Sequence, residues 1–214
     1  MKKITMLLSA LLLLTFSCTK PDDQPGLEPE PDVPGNNETP AEPKYKAGEY
    51  YKEGLAEGVI AWVDETGEHG LLISLDETRA AWSTEYFGLL DHGYGLSTSS
   101  GQYNSKIIKS LENWNEKYPA CAWCDAKNPR GLTSWYLPAI EEFGKALPAL
   151  KEINETLKSK GYPVIADGVR DFYWTSMEMG ARLATPASFS NNGEPDMYDC
   201  DKMMEHRVRA MRTF

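Results

Sequence analysis

The sequence predicts an α+β fold, and three observations carry that expectation. Apolar, β-prone runs stand at residues 58–63 and 69–75 and again at 173–176 and 207–211. Between these pairs, apolar residues recur at helical spacing: Ile107, Ile108, Leu111 and Trp114, then Ile140, Phe143 and Leu147, then Leu150, Ile153 and Leu157. Residues 19–44 hold almost none of the large apolar residues a core requires. Strands at both ends with helices between them make one α+β domain over residues 45–214.

In chain order, Lys2 and Lys3 form a positive start and residues 6–14 an apolar run too short to span a bilayer, so residues 1–17 read as a secretory leader. The leader ends in Thr15-Phe16-Ser17-Cys18, which resembles a bacterial lipobox, and Cys18 is expected to carry diacylglycerol and palmitate and to become the mature N-terminus. Several acyl chains together hold a protein on a membrane more firmly than one. Residues 18–44 hold seven of the fourteen prolines and read as a disordered, Pro- and acid-rich tether, kept extended by proline and like charge. Cys18-Thr19-Lys20-Pro21-Asp22-Asp23 resembles the Lys-plus-acid signal that sends some lipoproteins to the outer face. The expected location is the bacterial outer membrane, lipid-anchored and surface-exposed.

Within the domain, Asp64-Glu65-Thr66-Gly67 separates the first two apolar runs as the turn of a hairpin. Residues 91–103, rich in Gly, Ser and Tyr, read as a long loop. A helix follows from 104 to 118, stopped by Pro119. Trp135-Tyr136-Leu137 reads as a short strand, with Pro138 in the first turn of the next helix and Glu141 and Glu142 suited to its positive end. Pro148 breaks or restarts that helix, and Gly161 ends it.

The formal charge of −10 is spread as −5 over residues 19–49 and −7 over the rest, against +2 in the leader. An acidic domain offers no footprint for a phosphate backbone, so no nucleic acid is expected as partner. With Cys18 assigned to lipid, Cys121, Cys124 and Cys200 remain, an odd number from which at most one bridge can form. Cys121 and Cys124 have redox-motif spacing but no βαβ context, and His69, His92 and His206 show no ligand spacing, so no catalytic residue, metal or cofactor is expected.

Three spaced elements occur together: Trp135-Tyr136-Leu137-Pro138 with Glu141-Glu142-Phe143; Tyr173-Trp174-Thr175-Ser176 with Glu178; and Lys202 with Val208-Arg209-Ala210-Met211-Arg212. With Gly58-Val59-Ile60, His69-Gly70-Leu71, Trp82-Ser83 and Tyr118-Pro119-Ala120 they resemble the Lcl C-terminal-type domain of bacterial surface lipoproteins and adhesins. The resemblance implies a C-type-lectin-like fold, with a small twisted antiparallel sheet, two main helices and long loops. That fold is related to the formylglycine-generating sulfatase-modifying group and to retroelement variable proteins. Trp135, Pro138, Trp174, Arg209 and Arg212 read as scaffold, with Arg209 held by a carboxylate such as Glu142 or Glu178. Arg209 and Arg212 are expected on opposite faces of one terminal strand.

Recognition is then expected in the irregular segment 177–206, through Arg182, Asn191, Asn192, Glu194, Asp196 and Tyr198. Glu194-Pro195-Asp196 resembles the sugar motif of calcium-dependent lectins, and a weaker alternative places Ca²⁺ on Glu194, Asp196, Asp199 and Asp201. The leading expectation is a surface-tethered, non-catalytic binding module, adhesin-like, for an extracellular glycan or protein. The alternatives are an enzyme of the formylglycine-generating group, which needs reactive cysteines near the end of the chain, and an accessory or tip subunit of a surface fibre.

Overall fold

A computed structural model describes residues 43–131, 134–190 and 196–214, with only the backbone of Arg130, Asp196 and Met197. Cys18, most of the expected tether, and Asn191, Asn192 and Glu194 lie outside the described residues. In chain order come β1 (Tyr50–Glu53), β2 (Ala56–Val63), β3 (Gly70–Ile73), β4 (Thr78–Ala81), α1 (Gly101–Lys109), α2 (Trp114–Lys117), α3 (Pro119–Asp125), α4 (Ile140–Ala146), α5 (Leu150–Ser159), β5 (Tyr173–Glu178), β6 (Leu183–Ser188), β7 (Asp196–Met197), β8 (Cys200–Asp201), β9 (Glu205–Val208) and β10 (Met211–Thr213). The α+β expectation holds. The strands form two sheets rather than one: β1-β2-β3-β10, and β4-β9-β5-β6-β7 with β8 also on β6. All pairings are antiparallel except β5 with β9.

The first sheet is covered on both faces. Ile60 and Leu72 pack with Trp82, Leu89, Ile108 and Trp174, whereas Val59 and Ile73 pack with Phe143, Ile153, Leu157 and Met211. This is why β3 is an unbroken apolar run buried at every position, since neither face of the pleat meets water. Each such side chain contributes about 1.5–3 kcal/mol by its burial.

Several boundaries differ from the sequence expectation for local reasons. The expected helix 104–118 is broken by Asn113, whose φ of 55° lies in the left-handed region. Pro119 opens α3 instead of only stopping α2, because its missing N–H costs nothing at a first helical turn. Pro138 precedes α4 rather than lying in its first turn, and Tyr136 makes a single bridge to Met211 in place of a strand. Pro148 and Gly161 act as expected, one in the turn that restarts the helix as α5 and one at φ 79° beyond its end.

The expected terminal strand is two strands, β9 in one sheet and β10 in the other, with Arg209 and Ala210 at the crossing. Arg209 is fully buried there, and its partner is Glu77 (3.1 Å), not Glu142 or Glu178; it also donates to the carbonyls of Ser74 (2.7 Å) and Pro163 (2.5 Å). Arg212 lies on β10 and folds its guanidinium back to the Thr213 carbonyl. The described residues of the segment 177–206 are largely strand rather than irregular, with all of β6, β7 and β8 and the start of β9.

Candidate binding face at the end of the β5–β6 hairpin

The turn joining β5 to β6 requires Gly180, whose φ is 98°. The Met179 N–H closes the turn on the Leu183 carbonyl at 2.9 Å. Directly behind it lies a wholly buried ion pair, Lys202 Nζ to Glu178 Oε2 at 2.7 Å. Lys202 also donates to the Phe87 carbonyl (2.9 Å) and sits 4.8 Å from the centre of the Trp82 ring. Glu178 Oε1 accepts the Leu90 N–H at 3.1 Å. Burial pulls the Lys202 pKa below its usual value, and Glu178 opposes that shift without cancelling it. Both charges are met by several partners, the condition under which a buried pair is tolerated, and removing one partner alone costs about 3–5 kcal/mol. The pair fastens the loop from β4 to α1 onto the hairpin.

That fastening brings three polar side chains together at the surface. Tyr86 Oη donates to Asp201 Oδ2 at 2.8 Å, Arg182 stacks on the Tyr86 ring at 4.6 Å, and its Nη2 lies 3.6 Å from Asp201 Oδ2. The Met203 N–H donates to Asp201 Oδ1 at 3.0 Å. The Met203 N–H and the Tyr86 hydroxyl hold the Asp201 carboxyl below its usual range, and the same bond raises the Tyr86 hydroxyl. Around them Leu90, Met179, Leu183, Met203 and Met204 expose apolar surface.

Of the residues expected from sequence, Arg182 and Asp201 meet here. Tyr198 is exposed but packs edge-on against Phe172 (5.4 Å), and Asp199 accepts from the Thr185 hydroxyl (3.1 Å). Thus the two described carboxylates of the calcium alternative are engaged with protein groups, while the side chains of Glu194 and Asp196 lie outside the described residues. Among the described residues no group of three or more His, Cys, Asp or Glu is placed to hold a metal. Tyr86, Leu90, Met179 and Met203 went unread in the sequence; the one available signal was Tyr86-Phe87 in a polar stretch.

The scaffold residues behave as mutual braces. Trp174 Nε1 donates to the Ala80 carbonyl and Trp82 Nε1 to the Thr175 carbonyl, both at 2.9 Å. The Pro138 carbonyl accepts from Ser176 N–H (2.8 Å), and Asn128 clasps the backbone N–H and carbonyl of Trp135. Cys121 and Cys124 lie buried on α3, and no disulfide forms among the described residues. Burial pushes the Cys121 thiol up to about 12 and Cys124 well above its usual value; burial and Asp199 raise Cys200. His92 Nδ1 is taken by the Gly88 carbonyl (2.7 Å), and its ring stacks on Phe87.

No family model matches the sequence, and no curated protein matches it. The fold is similar to that of a solved fimbrial protein from Bacteroides ovatus, with a TM-score of 0.57 and 14% identity over 78% of this chain. This chain spans about half of that protein, 48% of its length. At this identity the likeness establishes the α+β architecture alone.

Proposed function

We propose that this chain is a surface-tethered, non-catalytic binding module that serves as an accessory or tip subunit of a bacterial surface fibre. The observation that carries this reading is the likeness in fold to the Bacteroides ovatus fimbrial protein. The anchor at Cys18, the outer-membrane location and the C-type-lectin-like, Lcl C-terminal-type assignment belong to the same proposal and rest on the sequence motifs. The β5–β6 end is the face that meets a protein partner. Its Tyr, Arg and Met residues are the types enriched at the centres of protein interfaces, and the buried pair behind them makes the face rigid before binding. A non-catalytic role is supported by the three described thiols, each raised away from the reactive thiolate.

Solubilising the envelopes of cells that carry the full chain in mild detergent, which releases a lipid anchor, and sedimenting the polymer tests the proposal. The chain is expected to sediment with the polymer, and the Tyr86→Ala, Arg182→Ala double variant is expected to stay in the detergent supernatant while keeping its near-ultraviolet circular dichroism. Recovery of the unaltered chain in the supernatant, with no crosslink to another protein from a photoreactive residue at position 86, overturns it.

A further inference from the structure

A second site lies away from the hairpin end. On α1, Gln102, Ser105, Lys106 and Lys109 fall at helical spacings of three and four and share one face. Cys121 and Asp125 of α3 stand opposite, and Ser134, Trp135 and Tyr136 close the third side of a 240 Å³ cleft. This lies just below the range of about 300–1,000 Å³ usual for ligand pockets, so the cleft suits one ring rather than a chain.

Its chemistry is uneven in a useful way. Lys109 is neutralised by Asp125 at 2.5 Å, an ion pair that also ties α1 to α3. Lys106 has no carboxylate partner among the described residues, and it stands at a cleft in an otherwise acidic domain. At the base, the Ser105 hydroxyl is buried and approaches the Cys121 thiol, but meets no partner at hydrogen-bond geometry. Gln102 and Ser134 add an amide and a hydroxyl, and Trp135 and Tyr136, both nearly buried, close the wall.

We propose that this cleft binds a single hydroxylated ring bearing one carboxylate, the chemistry of an acidic sugar unit. The carboxylate pairs with Lys106 in a charge-assisted bond, and the ring hydroxyls exchange hydrogen bonds with Gln102, Asp125 and Ser134. The inference does not depend on the fibre reading, because it concerns different residues and a different ligand.

The test is calorimetric titration of the full chain, purified in detergent, with glucuronic acid, galacturonic acid, glucose and acetate across the millimolar range. Binding of an acidic sugar at least tenfold tighter than glucose or acetate is expected. Lys106→Gln should lose that preference, and Lys151→Gln, on the exposed face of α5, should keep it. Equal binding of acid and neutral sugar, binding of acetate as tight as the sugar acid, no heat with any probe, or an unchanged Lys106→Gln variant overturns the proposal. Unaltered thermal melting of Lys106→Gln shows that a loss is not unfolding.

Discussion

His206 shows how a single residue ties this fold to pH. Its ring lies edge-on to Trp174 at 4.6 Å and near Phe172 at 5.7 Å, and its Nε2 is buried without a hydrogen-bond partner among the described residues. Burial first, and the charge of Arg79 second, lower its pKa from 6.5. In the window below 6.5 the unfolded chain therefore binds more protons than the folded one at this position. Stability then falls as pH falls through that window, and the contribution is fully present only above it. Urea denaturation should show a midpoint that drops between neutral pH and the carboxylate range. His206→Phe, which keeps the aromatic contacts and removes the proton site, should flatten that drop. An equally steep drop in the variant would assign the pH dependence to other groups.

Glu142 acts between elements. Its carboxylate accepts the N–H of Ala139 (2.8 Å) at the start of α4, the N–H of Gly101 (2.9 Å) at the start of α1, and the Tyr136 hydroxyl (2.8 Å). One side chain thus caps two helices and orients a core tyrosine. Gly101 is required for this approach, because a Cβ there would stand 2.3 Å from the Leu137 carbonyl oxygen. Glu142→Ala leaves three buried donors without their acceptor and should cost about 2–4 kcal/mol in denaturant titration. Glu142→Gln, which keeps acceptor oxygen, should cost less. Burial raises the Glu142 pKa above 4.5 despite these bonds, so its carboxyl favours the folded state most below that value and loses the benefit as pH rises. Its sign is opposite to that of His206, and the two effects are separable by their variants.

At the scale of the molecule, what was legible in the sequence was what is local. The β2–β3 hairpin, the helical faces and the turns at Pro148 and Gly161 each follow from a few neighbouring residues. Arg209 reads from sequence as a held cation, but its partner lies 132 residues earlier, in a position no spacing reveals. The candidate face was half legible: Arg182 and Asp201 fall in one segment, yet Tyr86 joins them only because Lys202 and Glu178 draw the β4–α1 loop over. Neither the hairpin end nor the two core clusters rely on a covalent link. Cys121 and Cys124, one turn apart on α3, contribute as small apolar residues sealed beneath α1, and Cys200 is half-buried. It follows that reducing agent should leave the melting temperature unchanged. A thiol reagent applied to the native domain should modify Cys200 slowly, and Cys121 and Cys124 only at the rate of opening, all three reacting at once in denaturant. A melting temperature lowered by reductant would mean that a bridge, and not packing alone, holds α3 in place.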